Sequence, residues 1–189
     1  ALAFTMSMFW LWLTLTRMED GLPGWLRFDY SISKKWKVRV GLLSLGAFVS
    51  IFSGTFVSTT PGANFGCGVD GLPDSWPLCN GKIVDSVEDV VAQSQIIHRW
   101  FVGLMLIALI FASYSISNEQ SGNKILRNWI WGSTFLFFVN TSIGAIYVLS
   151  WDLEEGFFEF LSLVHLMMAS LTFVTMAVSW IGCSIAEDG

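Results

Sequence analysis

Charge is scarce in this sequence. Aspartate, glutamate, lysine and arginine together make up 13% of the 189 residues, against 53% hydrophobic, and mean hydropathy is +0.60. Soluble domains carry roughly a quarter charged residues, so a water-soluble globular fold is excluded. The few basic residues build no continuous cationic face, which excludes a nucleic-acid partner. The net charge of −5 says little about partners, because the charges fall in short connecting stretches. Histidine is scarcer still, with two copies, and there are three cysteines. Their spacing fits neither a zinc knuckle nor a redox Cys-x-x-Cys pair. The first residues also lack the charged start of a signal peptide.

What remains is apolar and comes in long runs. Residues 38–60, 91–116, 128–150 and 158–182 are each continuous enough to span a bilayer, whose hydrocarbon core of roughly 30 Å needs about 20 helical residues. The runs are unbroken rather than alternating, which favours helices over a barrel. Residues 1–16 form a fifth, shorter run, expected to be part of one more spanning helix. The expected fold is an all-α integral membrane protein: a four-helix transmembrane bundle with one additional N-terminal transmembrane helix. Its expected divisions are a partial N-terminal helix (1–16), a cytoplasmic connection (17–37) and a four-helix module (38–184) with a cysteine-bearing loop (61–90).

The basic residues orient this array. Arg17, Arg27, Lys34, Lys35, Lys37 and Arg39 lie in or beside one connection, and Lys124 and Arg127 lie in another on the same side. Basic connections face the cytoplasm. The expectation is therefore a multi-pass cell-membrane protein, with the 61–90 loop outward and the C-terminus cytoplasmic. An outward loop lies where disulfides persist. Cys67 and Cys79, with turn-forming Gly and Pro between them, are candidates for a bridge; two unpaired thiols in a mobile loop are the alternative. Such a bridge would contribute on the order of 3 kcal/mol. Cys183, near the inner end of the last helix, reads as a buried thiol.

The two histidines carry most of the functional information. His98 and His165 each lie about seven residues into helices that run in the same direction, so their imidazoles share a depth of roughly 10 Å. Ionisable groups inside a membrane are costly and usually line a site. Two imidazoles from a bundle's helices would complete six-coordinate heme iron, whereas zinc wants ligands that no Cys or carboxylate supplies at that depth. The alternative is that each ring simply hydrogen-bonds a neighbouring helix. Arg99 lies where heme propionates would emerge, or else anchors its helix at the headgroups. Met168 and Ala169 share a face with His165 and would offer soft and small groups to a flat macrocycle. Gly41, Gly46, Gly54, Gly132 and Gly144 would let helices approach. Glu88, Asp89, Glu154, Glu155 and Glu159 precede helices and read as solvated helix starts, Glu159 being the nearest to the histidine level.

The order "SGTFVSTTPGANFGC", "DSWPLCNGKIV", "IIHRWFVG", then "NTSIGAIYVLS" and "SLVHLMMASLTF" resembles the heme A synthase family over about residues 38–182. The resemblance implies a module whose His98 and His165 are axial heme ligands, and whose outer-loop Cys67 and Cys79 serve a disulfide or heme handling. It implies the oxidation of a methyl group of heme O to the formyl group of heme A, for use by terminal oxidases. Bound heme b, heme O or heme A, and an electron-transfer partner, follow from it.

Three features depart from the family pattern. Many members hold two such modules in one chain and this sequence has one, so a homo-oligomer or a place in a larger membrane complex is expected. The cysteine loop, "CGVDGLPDSWPLC", is longer than usual. Gln95 stands where the family commonly has Glu, three residues before the first histidine. An amide hydrogen-bonds but cannot cycle a proton near neutral pH, so acid–base work at that position is lost. Two function classes follow: a single-module heme A synthase, or a non-catalytic heme b-binding, cytochrome-like or accessory subunit of a respiratory complex. A proton-relaying transporter would need broken helices or repeated halves at mid-membrane, and neither is present.

Overall fold

A computed structural model describes residues 2–19, 21–84, 89–119, 124–150 and 157–186. Five α-helices make up the described chain: α1 (Leu2–Glu19), α2 (Tyr30–Thr59), α3 (Val90–Ser117), α4 (Lys124–Leu149) and α5 (Phe157–Ile185). Short 3-10 turns at Gly24–Leu26 and Ala63–Phe65 flank α2. Helices α2 to α5 are long and apolar enough to cross a membrane. The shortest of them, with 26 residues, extends about 39 Å at 1.5 Å per residue, enough for the hydrocarbon core.

The four long helices close a square. α2 packs on α3, α3 on α4, α4 on α5, and α5 returns to α2, while the diagonal pairs do not pack closely. Each helix is apolar on nearly all sides, as a lipid-facing bundle requires: Phe52, Phe56, Leu104, Phe111, Phe135 and Leu163 all point outward. Inside, Trp36, Leu109, Leu126, Ile130, Met176 and Ile181 form one core, in the half of the bundle away from the 60–84 segment. Hydroxyl pairs add interhelical hydrogen bonds there, Ser113–Thr134 at 2.7 Å and Ser133–Thr175 at 3.0 Å, a common device where water is absent.

α2 begins at Tyr30, eight residues ahead of the apolar run at 38, because Asp29 caps it. The Asp29 carboxylate accepts from the backbone N–H of Ser31 (3.0 Å) and Ile32 (3.3 Å), satisfying amides that a helix start leaves open. The Ser31 hydroxyl and those amides hold its carboxyl below the usual range. The lysines expected in a connection therefore ride on the first turns of α2, and Lys35 pairs with Glu119 beyond α3 at 2.8 Å. The expected partial helix over 1–16 extends to Glu19; with 18 residues it is not among the four candidate spans. It lies along α5, where Trp10 meets Trp180 edge-on at 5.3 Å.

The 60–84 segment is a cap on one end of the square. Cys67 and Cys79 are disulfide-bonded and fully buried with Ala92 and Ile96 of α3. The Asn80 N–H donates to the Cys67 carbonyl, and the Asn80 side-chain amide donates to the Gly66 carbonyl. Gly66 itself lies so near α3 that a Cβ there would stand 2.8 Å from Val91. The loop is therefore packed onto the start of α3. We call this end of the bundle the loop end.

Candidate functional site

Below the loop the square is hollow. A cavity of about 650 Å³ runs between α2, α3, α4 and α5, roofed by Trp76, Pro77, Leu78 and Cys79. Both histidines line it. Each is the eighth residue past the start of its helix, about 12 Å along, and the two helices run in the same sense on opposite corners. A more open recess of about 730 Å³ lies on the lipid-facing flank of α2 and α3. Its lining is apolar apart from Arg39, Ser115 and the Trp36 ring nitrogen, and it holds no His, Cys or carboxylate, so the histidine cavity is the candidate site.

Each imidazole is seated against a glycine of the preceding helix. A Cβ on Gly54 of α2 would stand 3.2 Å from His98 Cε1, and a Cβ on Gly144 of α4 would stand 2.8 Å from His165 Cε1. The rings occupy the space that a side chain would fill. The sequence marked these glycines only as packing positions; that they seat the histidines depends on helix register, which composition does not reveal. Gly132, marked for the same reason, has nothing within 4 Å.

Hydrogen bonds then fix which nitrogen of each neutral ring bears the proton. His165 Nδ1 is 3.0 Å from the backbone oxygen of Asn140. A carbonyl only accepts, so Nδ1 carries the hydrogen. His98 Nδ1 is 2.9 Å from Ser53 Oγ. The Ser53 hydroxyl already donates to the Ser50 carbonyl at 2.8 Å, so it accepts from His98 Nδ1–H. Both rings thereby keep an Nε2 lone pair, the arrangement by which partner groups prepare histidine to ligate a metal. Ser53 and Asn140 are partners of the histidine rings that sequence reasoning missed; a Ser or a backbone carbonyl in an apolar helix carries no distinguishing pattern.

Arg99 turns toward the roof. Its Nη1 donates to the Leu78 carbonyl at 2.6 Å, and its Nη2 is buried without a partner. Gln95 is buried and donates through Nε2 to the carbonyls of Ala63 (2.8 Å) and Asn64 (3.4 Å). It ties the 3-10 turn of the loop to α3 while lining the cavity. Asn140 also lines the cavity, and its side-chain Oδ1 is buried without a partner. Ala169 is part of the wall, and so is Thr172; Met168, on the expected face, is not. Asp89 is the cap of α3, accepting from Val91 and Ala92 N–H. Glu159 is exposed in the first turn of α5. Glu88, Glu154 and Glu155 lie outside the described residues. Among the described residues, no three or more His, Cys, Asp or Glu side chains group as a metal-binding set. The donor set is thus two imidazoles, suited to a group that brings its remaining ligands with it.

A family model described as cytochrome oxidase assembly protein (COX15-CtaA) matches residues 1–177. No curated protein and no solved structure matches the chain.

Proposed function

Because the chain belongs to the COX15-CtaA family of cytochrome oxidase assembly proteins, the heme A synthase family, we propose that its loop-end cavity binds heme between His98 and His165. One observation carries the reading: two imidazoles line one cavity, each with Nδ1–H committed to a helix and Nε2 left as a donor. A porphyrin would bring four nitrogens of its own to the iron, and His98 and His165 would hold it. The glycine seats at Gly54 and Gly144 make room for rings in that position. The unpartnered Arg99 Nη2 suits a propionate carboxylate. The residues present fit the group.

The proposed activity is oxidation of a methyl group of heme O to the formyl group of heme A, with water supplying the oxygen atom, four protons released and four electrons passing to an oxidising membrane partner. A bound heme would supply the redox chemistry. This chain's residues bind and orient: Ser53 and the Asn140 carbonyl fix the histidine tautomers, Arg99 holds a carboxylate toward the roof, and the disulfide-bonded loop shields the cavity. In this reading the loop faces outward, the basic connections and the C-terminus are cytoplasmic, and a second copy or another membrane subunit completes the electron path.

One observation favours a second reading, a heme b-binding subunit that does not oxidise the macrocycle. Gln95 Nε2 donates to the Ala63 carbonyl, a structural bond, and an amide carries no proton in acid–base exchange near neutral pH. Pyridine hemochrome spectra and mass spectrometry of the extracted porphyrin separate the two. Heme O or heme A recovered with the protein supports the synthase. Heme b alone, in a protein inert toward heme O, supports the subunit. Absence of any heme, with none taken up on reconstitution, overturns both.

A further inference from the structure

The heme reading leaves one hollow unused, the recess of about 730 Å³ on the lipid-facing flank of α2 and α3. Exposed apolar side chains wall it, Leu42 and Leu45 from α2, Leu104 and Phe111 from α3. Lys35 meets Glu119, a Cβ on Gly46 would meet Met105, and Ser53 meets His98, so the two helices run antiparallel. The recess therefore starts at the level of Arg39 and Ser115 and stops at Val49 and Phe101, about one turn short of the Ser53–His98 contact. From Arg39 to Val49 the helix rises about 15 Å. That is the depth of one leaflet's hydrocarbon, half of a core roughly 30 Å thick.

The polar end of this trough is a cation. Arg39 is the last charged residue of α2; residues 40–59 carry none, and about twenty helical residues fill the hydrocarbon core. Its guanidinium thus stands at the boundary between headgroups and chains. It is exposed, and it lies 5.0 Å from the ring centre of the fully buried Trp36. Among the described residues it forms no ion pair. The nearby carboxylate, Glu119, is taken by Lys35 at 2.8 Å and by the Trp36 ring N–H at 3.3 Å. Lys34 and Lys37, exposed on the adjoining turns, keep the surroundings positive.

We infer that the recess between α2 and α3 binds one anionic glycerophospholipid of the leaflet away from the loop, with its phosphate on Arg39 and one acyl chain lying along the trough toward Val49. A basic pocket between helices at headgroup level suits an anionic lipid head, and a guanidinium matches phosphate with two parallel hydrogen bonds. A neutral isoprenoid, or an apolar helix of a second copy, would fill the trough and leave Arg39 without an anion. The inference is independent of the heme reading, since no residue lines both hollows.

Native mass spectrometry of the full chain, delipidated in detergent, tests it. The protein is titrated with dioleoylphosphatidylglycerol or dioleoylphosphatidylcholine, which share their chains and differ in headgroup charge. The unaltered protein is expected to retain one phosphatidylglycerol, with a dissociation constant about tenfold below that of phosphatidylcholine, the scale of a charge-assisted hydrogen bond. Arg39→Gln abolishes that preference. Ala108→Phe, which fills the trough and leaves Arg39 in place, weakens both lipids. Lys37→Gln removes an equal charge outside the recess and changes neither.

Equal affinity for the two lipids in the unaltered protein overturns the inference. So does a loss in Lys37→Gln as large as that in Arg39→Gln, which would make the attraction diffuse. Unchanged binding in Ala108→Phe overturns the seat for the chain; should that variant fold poorly, Ala108→Leu must weaken both lipids in its place. A protein that retains no lipid and runs as a dimer broken by Ala108→Phe would assign the trough to a second copy instead.

Discussion

Arg99 Nη1 donates to the carbonyl oxygen of Leu78 at 2.6 Å, joining a helix that carries a histidine to the loop that roofs it. The other terminal nitrogen of the same guanidinium is buried and unpaired. One side chain therefore fastens the roof, and its second terminal nitrogen is the donor that the proposed function assigns to a ligand carboxylate. Replacing it with leucine removes both functions, and lysine cannot serve two directions at once. Arg99→Leu is expected to speed heme loss by tenfold or more, on the scale of a hydrogen bond to a charged group. Transfer of heme to an apo-globin acceptor measures this directly, and an unchanged rate would remove Arg99 from the site.

Gln95→Glu puts a carboxylate where an amide now donates to the Ala63 carbonyl. Acceptor then faces acceptor in a buried position. A loss of about 1–3 kcal/mol is expected, read as a lower unfolding temperature in detergent. The prediction is specific: Gln95→Glu is less stable than the unaltered protein, whatever its turnover. A stable Gln95→Glu protein that oxidises heme O faster would instead show that the position is a vacated proton-transfer site.

The glycine seats predict a ranking. A Cβ at Gly144 would lie 2.8 Å from the His165 ring, and one at Gly54 would lie 3.2 Å from the His98 ring. Gly144→Ala must displace its imidazole, and Gly54→Ala needs only a small adjustment. Heme content and the fraction of low-spin heme should therefore fall further in Gly144→Ala than in Gly54→Ala. Equal effects would mean that the seats do not set ring position.

The disulfide closes a loop of twelve residues in sequence separation. By chain entropy it contributes on the order of 3 kcal/mol. A Cys67→Ser, Cys79→Ser double variant is expected to lose stability of that order and to expose the 60–84 segment to protease first. Cleavage patterns under limited proteolysis, compared between the two proteins, decide the matter.

At the other end of the bundle, Lys35 holds Glu119 at 2.8 Å, and the Trp36 ring N–H also donates to it. The Lys35 hydrogen bond, first, and Trp36 hold the Glu119 carboxyl below its usual pKa. A carboxyl lowered on folding adds stability above its unfolded pKa, and that stability is lost as pH falls through the folded value. The pair is partly exposed and its contribution is small. Glu119→Gln should thus cost a little stability near pH 7 and nothing once the carboxyl is protonated, as unfolding curves across acidic pH will show.

How much of this was legible in the sequence follows from what each feature depends on. The four spans were readable because length and apolarity alone define them, and the histidines because an ionisable ring in such a span is conspicuous. The family order was readable from the loop and the His-Arg step. The start of α2 was not, because a single capping aspartate, Asp29, outweighs the charge of the lysines that follow. The partners of the imidazoles were not, because Ser53, Asn140 and the two glycines meet them only through the register between neighbouring helices. Gln95 was readable as a departure, yet its bond to Ala63 requires the loop to fold back on α3. Met168 shows the limit of one-helix reasoning. It is close to His165 along the sequence, but the cavity wall passes through Ala169 and Thr172.

The central claim is ligation of heme by His98 and His165 through Nε2. Electron paramagnetic resonance of the ferric, heme-loaded protein tests it most directly, alongside His98→Ala and His165→Ala. The account predicts a low-spin bis-imidazole signal in the unaltered protein, replaced by a high-spin signal in each variant and restored by added imidazole. A low-spin signal that survives both substitutions, or a protein that takes up no heme at all, would contradict it.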